Sequence, residues 1–504
     1  MPSVVGVMSR RGEDVSNSIA EMLSTLKHRG SFYAGAAIGD EVVFSKNANT
    51  IDFQGCEGFA AVGYNGFEKL ETAYQPLIDC TGNLYGVLDG RVFNSQELMK
   101  NLTTHDVDAS VEGAVLLHSV EEEKKNLLDS VSSVLQRVDG VYAFAVKRND
   151  TVALARDPVG VRSLYWGEND SVFAFASERK ALWKIRVDRV ETFPPGNVGV
   201  ISSKKREVYP ALLLKKPPEC ELGLNTVATE LGKVLIKAVQ KRVEGLDEIG
   251  LLFSGGVDSA LIAKALKDLT GSIQLFTAGV EGAHDVAVAE KAATSLQLSI
   301  NIKTISPEEI EQILPRVAYL VEEWDLMKVG VALPLFIACK EALSRGFRTL
   351  LAGQGSDELF AGYNRYLRTL RREGYEAVNT ELWKDLLETH RVNLSRDSAV
   401  AAANGLELLL PYLDLKVINL AVSLPAQYKI EGGSDRLRKR VLRKAAELQG
   451  VPKEIANIPK KAVQYSSGAD KAIRRLAKAR GYGSVENYLR SVFNNVFKGF
   501  PAAP

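Results

Sequence analysis

Ser254-Gly255-Gly256-Val257-Asp258-Ser259 decides the reading of this chain. It follows the apolar run Ile249-Gly250-Leu251-Leu252-Phe253 and precedes Ala260-Leu261-Ile262-Ala263-Lys264-Ala265-Leu266, which has helical character. A buried strand therefore runs into a small-residue loop and then a helix. That order aims backbone N–H groups and a helix N-terminus at one point, which suits a phosphate. The two glycines allow close backbone approach, and the serine hydroxyls add donors. No lysine follows the glycines, so this is not the Gly-x-x-x-x-Gly-Lys-Ser/Thr loop. The bland alternative is a Gly-Ser turn, and the full hexapeptide in this setting argues against it.

Working outward, the strands Gln274–Ala278 and Ile300–Thr304 alternate with helices at 225–243, 259–268 and 286–296. This βαβα order predicts a doubly wound parallel sheet. From Trp383 onward the pattern reads as nearly all helical, and the tail after Gly481 is expected to fray. Upstream, residues 1 to about 200 read as short strands, such as 41–44, 84–88, 141–146 and 172–176. Helices are expected at 16–27 and from 110 to 120 with a continuation toward 135. Many strands with few helices suggest sheet layers covered by helices. Lys215-Lys216-Pro217-Pro218 marks a linker. The expected domains are 1–205, a linker at 206–224, and 225–504.

The composition narrows the function. The 504 residues carry a net charge of +1, so there is no electrostatic case for nucleic acid or an anionic membrane. No apolar run is long enough to span a bilayer, and Met1-Pro2-Ser3-Val4-Val5-Gly6-Val7 does not read as a signal peptide. A cytoplasmic protein is expected. Cys56, Cys80, Cys220 and Cys339 show no zinc or disulfide spacing. The five histidines are scattered too, so a metal site built from side chains alone is not expected.

Further motifs follow. Leu350-Leu351-Ala352-Gly353-Gln354-Gly355-Ser356-Asp357-Glu358-Leu359-Phe360-Ala361-Gly362-Tyr363 succeeds a second apolar strand, and Leu408-Leu409-Leu410-Pro411-Tyr412-Leu413-Asp414 and Pro459-Lys460-Lys461 come later. The first half has Arg156-Asp157-Pro158-Val159-Gly160-Val161-Arg162 and Ala176-Ser177-Glu178-Arg179-Lys180. In this order the segments resemble the glutamine-dependent asparagine synthetase family, which includes the β-lactam and carbapenam synthetases. The hexapeptide alone resembles the pyrophosphatase loop of ATP-dependent adenylating enzymes in general.

The resemblance implies an α/β protein. Its first part would be an αββα sandwich of the N-terminal-nucleophile glutaminase type. Its second would be an adenine-nucleotide α-hydrolase-like parallel sheet with an all-helical extension. It further implies an ATP- and Mg²⁺-using ligase that adenylates a carboxylate, aspartate's β-carboxyl in the parent enzymes, before nitrogen displaces AMP. By resemblance, Ser254, Gly255, Gly256, Asp258 and Ser259 would cradle pyrophosphate. Phe253 and Ala278 would contact adenosine, and Ala352 and Gly353 would close over the nucleotide. Asp258 and Asp357 would hold Mg²⁺. Lys460, or Lys461 in an alternative register, would stabilise charge on the phosphates and the tetrahedral intermediate. Glu322 and Glu323 would lie near the substrate, and a homodimer is suggested. The basic run Arg436 to Arg443 reads as a solvated helix face with a phosphate-steering role left open.

The departures are as informative. The family's nucleophilic cysteine falls at Pro2, which has no thiol for a thioester. The family's Asn-Gly-Glu reads Asp89-Gly90-Arg91, its glutamine-holding arginine falls within Gly63-Tyr64-Asn65-Gly66, and its aspartate falls near Ser110, with Asp106 and Asp108 close by. The first half is expected to fold without hydrolysing glutamine, so that nitrogen comes as ammonia or another amine. In the second half the family's glutamate is Gln354, which cannot take a proton. The nitrogen-transfer step would then use another base, Glu358 or Glu322, or a different nucleophile. A lactam-type synthetase on another carboxylate and a non-catalytic scaffold are the competing readings.

Overall fold

The computed structural model describes residues 1–504 except 47–50, 52, 54, 68–72, 103–104, 106, 271–272 and 460–466. The chain forms two units, Met1–Leu214 with Asn495–Pro504, and Lys215–Asn494.

The first unit contains a seven-stranded and a six-stranded sheet in which every strand pairing is antiparallel. Strand Ser3–Ser9 shows how the sequence builds the layers. It is buried throughout, and alternate side chains point to opposite faces. Val5 and Val7 pack with Ile19, Met22 and Leu23 of helix Ser16–Thr25. Val4 and Met8 face the second sheet, among Tyr85, Val87, Ala143 and Ala145. The far face of that sheet, with Leu88, Phe144 and Val146, packs under helices Glu112–Glu122 and Leu127–Leu135. The result is the expected αββα sandwich. The helix expected to continue from 110 toward 135 is two, because Asn126 caps the second by accepting from the Asp129 N–H at 2.9 Å.

The Arg156–Arg162 motif serves packing. Fully buried Arg156 donates to the carbonyls of Gly160, Arg162 and Phe193, while the Asp157 carboxylate accepts from the backbone N–H groups of Val159, Gly160, Val161 and Arg162. The Asp157 carboxylate is thus satisfied within one loop, and Arg156 ties that loop to Phe193.

Two boundaries differ from expectation. Arg206–Pro210, expected as linker, is an edge strand paired with Asn197–Ser202. The tail does not fray. Val485–Val496 is a helix, and Phe497 is buried edge-to-face on Trp183 at 5.4 Å. Apolar burial offsets the ordering entropy there.

The second unit holds a five-stranded parallel sheet in the order Ile300–Ile305, Gln274–Val280, Gly250–Leu252, Thr349–Leu351, Glu407–Leu409. The last strand corrects the expectation of an all-helical C-terminal part. Its three buried residues are too few to show a strand period, and Leu406–Leu410 reads equally as buried helix. The chain winds outward from Gly250–Leu252 in one direction, then returns to start again beside it with Thr349–Leu351. In such sheets ligands bind outside the carboxyl ends of the strands at this reversal.

Candidate active site

Two loops leave the carboxyl ends of the two strands at the reversal. The first is 253–256, opening helix Val257–Thr270, and the second is 352–355, opening the short helix Ser356–Phe360. Phe253 N–H donates to the Phe276 carbonyl at 2.9 Å, and Ala352 N–H to the Leu409 carbonyl at 3.1 Å, so the sheet ladder runs into both loops. Phe253, Ala278 and Ala352 are buried at adjacent strand ends. The hexapeptide folds on itself. Ser254 N–H donates to Ser259 Oγ (3.3 Å), Gly256 N–H to Ser254 Oγ (3.4 Å), and Ser259 Oγ to the Gly256 carbonyl (3.2 Å). Gly255 has φ +74°, and a Cβ there would stand 2.8 Å from the Val288 carbonyl oxygen. Only glycine serves at that turn. The first N–H groups of Val257–Thr270 have no intrahelical acceptor and face the loop mouth.

Asp258 and Asp357 come together on one cation, Lys439. Its Nζ lies 2.7 Å from both Asp258 oxygens, 2.5 Å from Asp357 Oδ1 and 3.0 Å from Ser356 Oγ. The Lys439 side chain is wholly buried, whereas the carboxylates keep 13% and 16% exposure. The acids therefore retain an open face, and the lysine does not. Gly362 is obligatory here, because a Cβ would fall 1.8 Å from Asp357 Oδ1. Tyr412 OH donates to the Asp258 carbonyl at 3.0 Å, which ties the Pro411-Tyr412-Leu413-Asp414 motif to the first loop. Asp414 in turn accepts from Lys241 and Arg242 and caps helix Leu415–Ser423.

Lys439 corrects the reading of residues 436–443 as a solvated helix face. The helix begins at Arg440, and Arg438 and Lys439 both sit at φ +54°, rare for residues with a side chain. Arg438 donates to the Gly362 carbonyl, and buried Arg443 donates to the carbonyls of Leu437, Arg438, Ala456 and Ile458. One signal was available in the sequence. Gly432-Gly433-Ser434-Asp435 is turn-forming, and Asp435 accepts from the N–H groups of Leu437 and Arg438, holding them out of a helix.

A cavity of about 1290 Å³ opens beside Asp357. Gln354 and Glu358 line it, with Arg365, Arg368, Arg396 and Arg438 among the cationic residues of the wall. Glu358 accepts from Tyr363 OH (2.6 Å) and Asn393 Nδ2 (2.8 Å). Burial, and then the nearby Asp357 charge, push its carboxyl above the usual range. Gln354 Nε2 donates to Asp397 Oδ2 at 2.5 Å, and Arg396 Nε donates to Asp397 Oδ1 at 2.7 Å. Burial raises Asp397 as well. Glu322 is buried at the end of helix Pro307–Val321 and Glu323 pairs with Lys328, and neither lines this cavity. Lys460, Lys461 and Asp106 lie outside the described residues.

In the first unit, Pro2 stands beside a sealed ion network. Its carbonyl accepts from Arg29 Nε at 2.9 Å. Arg29 reaches Glu178 (2.9 Å) and Asp89 (3.2 Å), and Glu178 also holds His28 (2.9 Å) and Lys180. Burial alone would raise the Glu178 carboxyl, but His28, Lys180 and Arg29 override it and hold it well below the usual range. Arg91 reaches Glu112 at 3.7 Å.

Fold and site together define a two-unit α/β protein: an αββα sandwich followed by a parallel sheet with a Ser-Gly-Gly-Val-Asp-Ser loop at its reversal. Residues 230–377 and 371–482 match the asparagine synthase family model, and 66–184 match a glutamine amidotransferase domain. A Methanocaldococcus jannaschii protein provisionally named asparagine synthetase (glutamine-hydrolysing) 1 is 33% identical over 96% of both chains. Asparagine synthetase (glutamine-hydrolysing) 1 of Lotus japonicus is 29% identical over 78% of this chain and 68% of its own. The nodule asparagine synthetase (glutamine-hydrolysing) of Pisum sativum is 28% identical over 89% and 75%. The chain belongs to the asparagine synthase family of ATP-dependent carbon–nitrogen ligases.

Proposed function

We propose that this protein adenylates a carboxylate, aspartate's β-carboxyl first among candidates, releases pyrophosphate, and lets ammonia or another amine displace AMP without hydrolysing glutamine itself. The carrying observation is the meeting of the two loops at the sheet reversal, with Asp258 and Asp357 held by one buried lysine and Asp357 lining a cavity.

The residues fit the groups this chemistry needs. Mg²⁺ is commonly held by one or two carboxylates together with phosphate oxygens, and Asp258 and Asp357 offer two carboxylates with an open face. The ion would supply charge neutralisation to the departing pyrophosphate. Ser254, Ser259 and the first N–H groups of Val257–Thr270 bind and orient the phosphates. Phe253, Ala278, Ala352 and Gly353 form the wall for adenosine. Lys439 fixes both acids, and Lys460 is the proposed counter-charge to the transition state.

A carboxylate is a poor electrophile, and a phosphate ester makes it a good one, so the remaining demand is a proton acceptor for the amine. Glu358 suits it, since a carboxyl raised by burial and lining the cavity accepts a proton near neutrality more readily than an exposed one. Gln354 is bound to Asp397 and acts as a positioning residue.

In the first unit the nucleophile position holds no thiol, and its neighbourhood is filled by paired charges. This supports a sandwich that folds but does not cleave glutamine. A second reading, in which the carboxylate is larger than aspartate, is favoured by the room beside Asp357, a cavity of about 1290 Å³. ATP–pyrophosphate exchange with Mg²⁺, run across amino-acid carboxylates, tests both. Aspartate-dependent exchange supports the first, exchange only with a larger acid supports the second, and no exchange with any acid refutes the proposal. Glutamate release by the pure protein would refute the part concerning glutamine.

A further inference from the structure

We infer that the first unit carries a zinc site made by Cys80, His105, His118 and Glu121. The four residues come from three segments. Cys80 sits in the turn after strand Leu77–Ile78, His105 precedes helix Glu112–Glu122, and His118 and Glu121 lie on that helix three residues apart, hence on one face. One donor atom from each lies within 4.8 Å of all the others.

The distances have the scale of a tetrahedron. With Zn–S of about 2.3 Å and Zn–N or Zn–O of about 2.05 Å, a tetrahedral centre needs S···N edges of about 3.6 Å and N···O edges of about 3.3 Å. Cys80 Sγ lies 3.3 Å from His105 Nδ1 and 3.8 Å from His118 Nδ1. Glu121 Oε2 lies 2.8 Å from His118 Nδ1 and 3.8 Å from His105 Nδ1. Each pair of edges brackets its target, so shifts of about half an ångström close the site around an ion.

The surroundings supply the rest of a metal centre. His105 presents Nδ1 to the cluster, while its Nε2 meets Glu122 Oε2 at 3.0 Å. A carboxylate on the far ring nitrogen fixes tautomer and orientation, as it does for metal-bound imidazoles. The turn carrying Cys80 is itself set by Asp79, whose carboxylate accepts from the Asn83 and Leu84 N–H groups and from Thr81 Oγ1. A cavity of about 380 Å³, lined by His105, Glu121 and Glu122 among others, gives a route in. The mixed S, N, N and O donors suit zinc rather than calcium or magnesium, which take oxygen. On binding, the Cys80 thiol forms a Zn–S bond and releases its proton to solvent. All four ligand positions are protein groups, so the site is structural and clips three segments of the sandwich together.

The full chain, purified and dialysed against metal-free buffer, is titrated with zinc and, as a spectroscopic probe, with cobalt. Expected are one tightly held ion per chain, a thiolate-to-cobalt charge-transfer band with tetrahedral d–d absorption, and a melting temperature lowered by chelator. C80S and H118Q lose these, whereas C220S, altered in the other unit, keeps them. Should C80S not fold, iodoacetamide labelling of the wild type decides, because zinc slows alkylation of Cys80 selectively. Less than a tenth of an equivalent bound, an octahedral cobalt spectrum without the band, a band that persists in C80S, or unchanged alkylation overturns the inference.

Discussion

The two units each bury a network of opposite charges, and the networks differ in one respect. Around Arg29, Asp89 and Glu178 every side chain is sealed, with no more than 3% exposure. Around Lys439 only the cation is sealed, and Asp258 and Asp357 keep a face toward the outside. A closed network has used its interaction capacity on itself, so its product is stability and orientation. An open one keeps negative charge exposed where a ligand can arrive. The same elements, a buried base between two acids, thus support packing in one unit and propose chemistry in the other. Desolvation is expensive in both, but only the second can recover part of it by binding.

The comparison can be broken most severely at the open network. Asp258→Asn is expected to lower ATP–pyrophosphate exchange by about 10²–10³-fold, the scale for removing one preorganised electrostatic group, with melting temperature little changed. An equal loss of fold and exchange would make the network structural, like the first. In the sealed network the pattern reverses. Glu178→Gln leaves Arg29 and Lys180 short of a charge, and is expected to destabilise the sandwich by about 3–5 kcal/mol. Exchange by the surviving folded protein should stay normal, measured by denaturant unfolding alongside activity.

The pH dependence sharpens the same contrast. Glu178 is held below its ordinary value of 4.5, so the unfolded chain binds the proton first. Its stabilisation is complete above about pH 4.5 and is lost as pH falls through the depressed value. Acid unfolding of the wild type should therefore be steeper than that of Glu178→Gln below pH 4.5. A smaller effect is expected at Gln354→Glu, which sets a carboxylate against Asp397 and removes a hydrogen bond, for about 2 kcal/mol. The loss should shrink as pH is lowered and one acid is protonated. Smallest of all, Pro2→Cys is expected to give no glutamate release above background, because Arg91 and the sealed charges remain. Release at rates typical of glutaminases would overturn the view that this pocket is closed.

Legibility in the sequence followed the range of the interactions. The hexapeptide, its strand and its helix are contiguous, so backbone preference and hydrophobic pattern were enough to read them, and the second loop was legible for the same reason. Strand 172–176 came out as expected because its short, wholly apolar run is a local signal. Lys439 did not, since nothing local distinguishes it from Arg438 or Arg440. Its burial follows from a turn at Asp435 and from carboxylates 181 and 82 positions away in Asp258 and Asp357.

The sequence by itself determined the strand–loop–helix order around the hexapeptide and the absence of a thiol at position 2. Tertiary structure alone decided that Glu407–Leu409 completes the parallel sheet, that a lysine in a basic run holds two distant acids, and that Cys80, His105, His118 and Glu121 converge. The physical reason is that periodicity and turn preference act over a few residues. Which charges share a low-dielectric site is set by chain closure over tens to hundreds of residues, and spacing in the sequence carries no record of it.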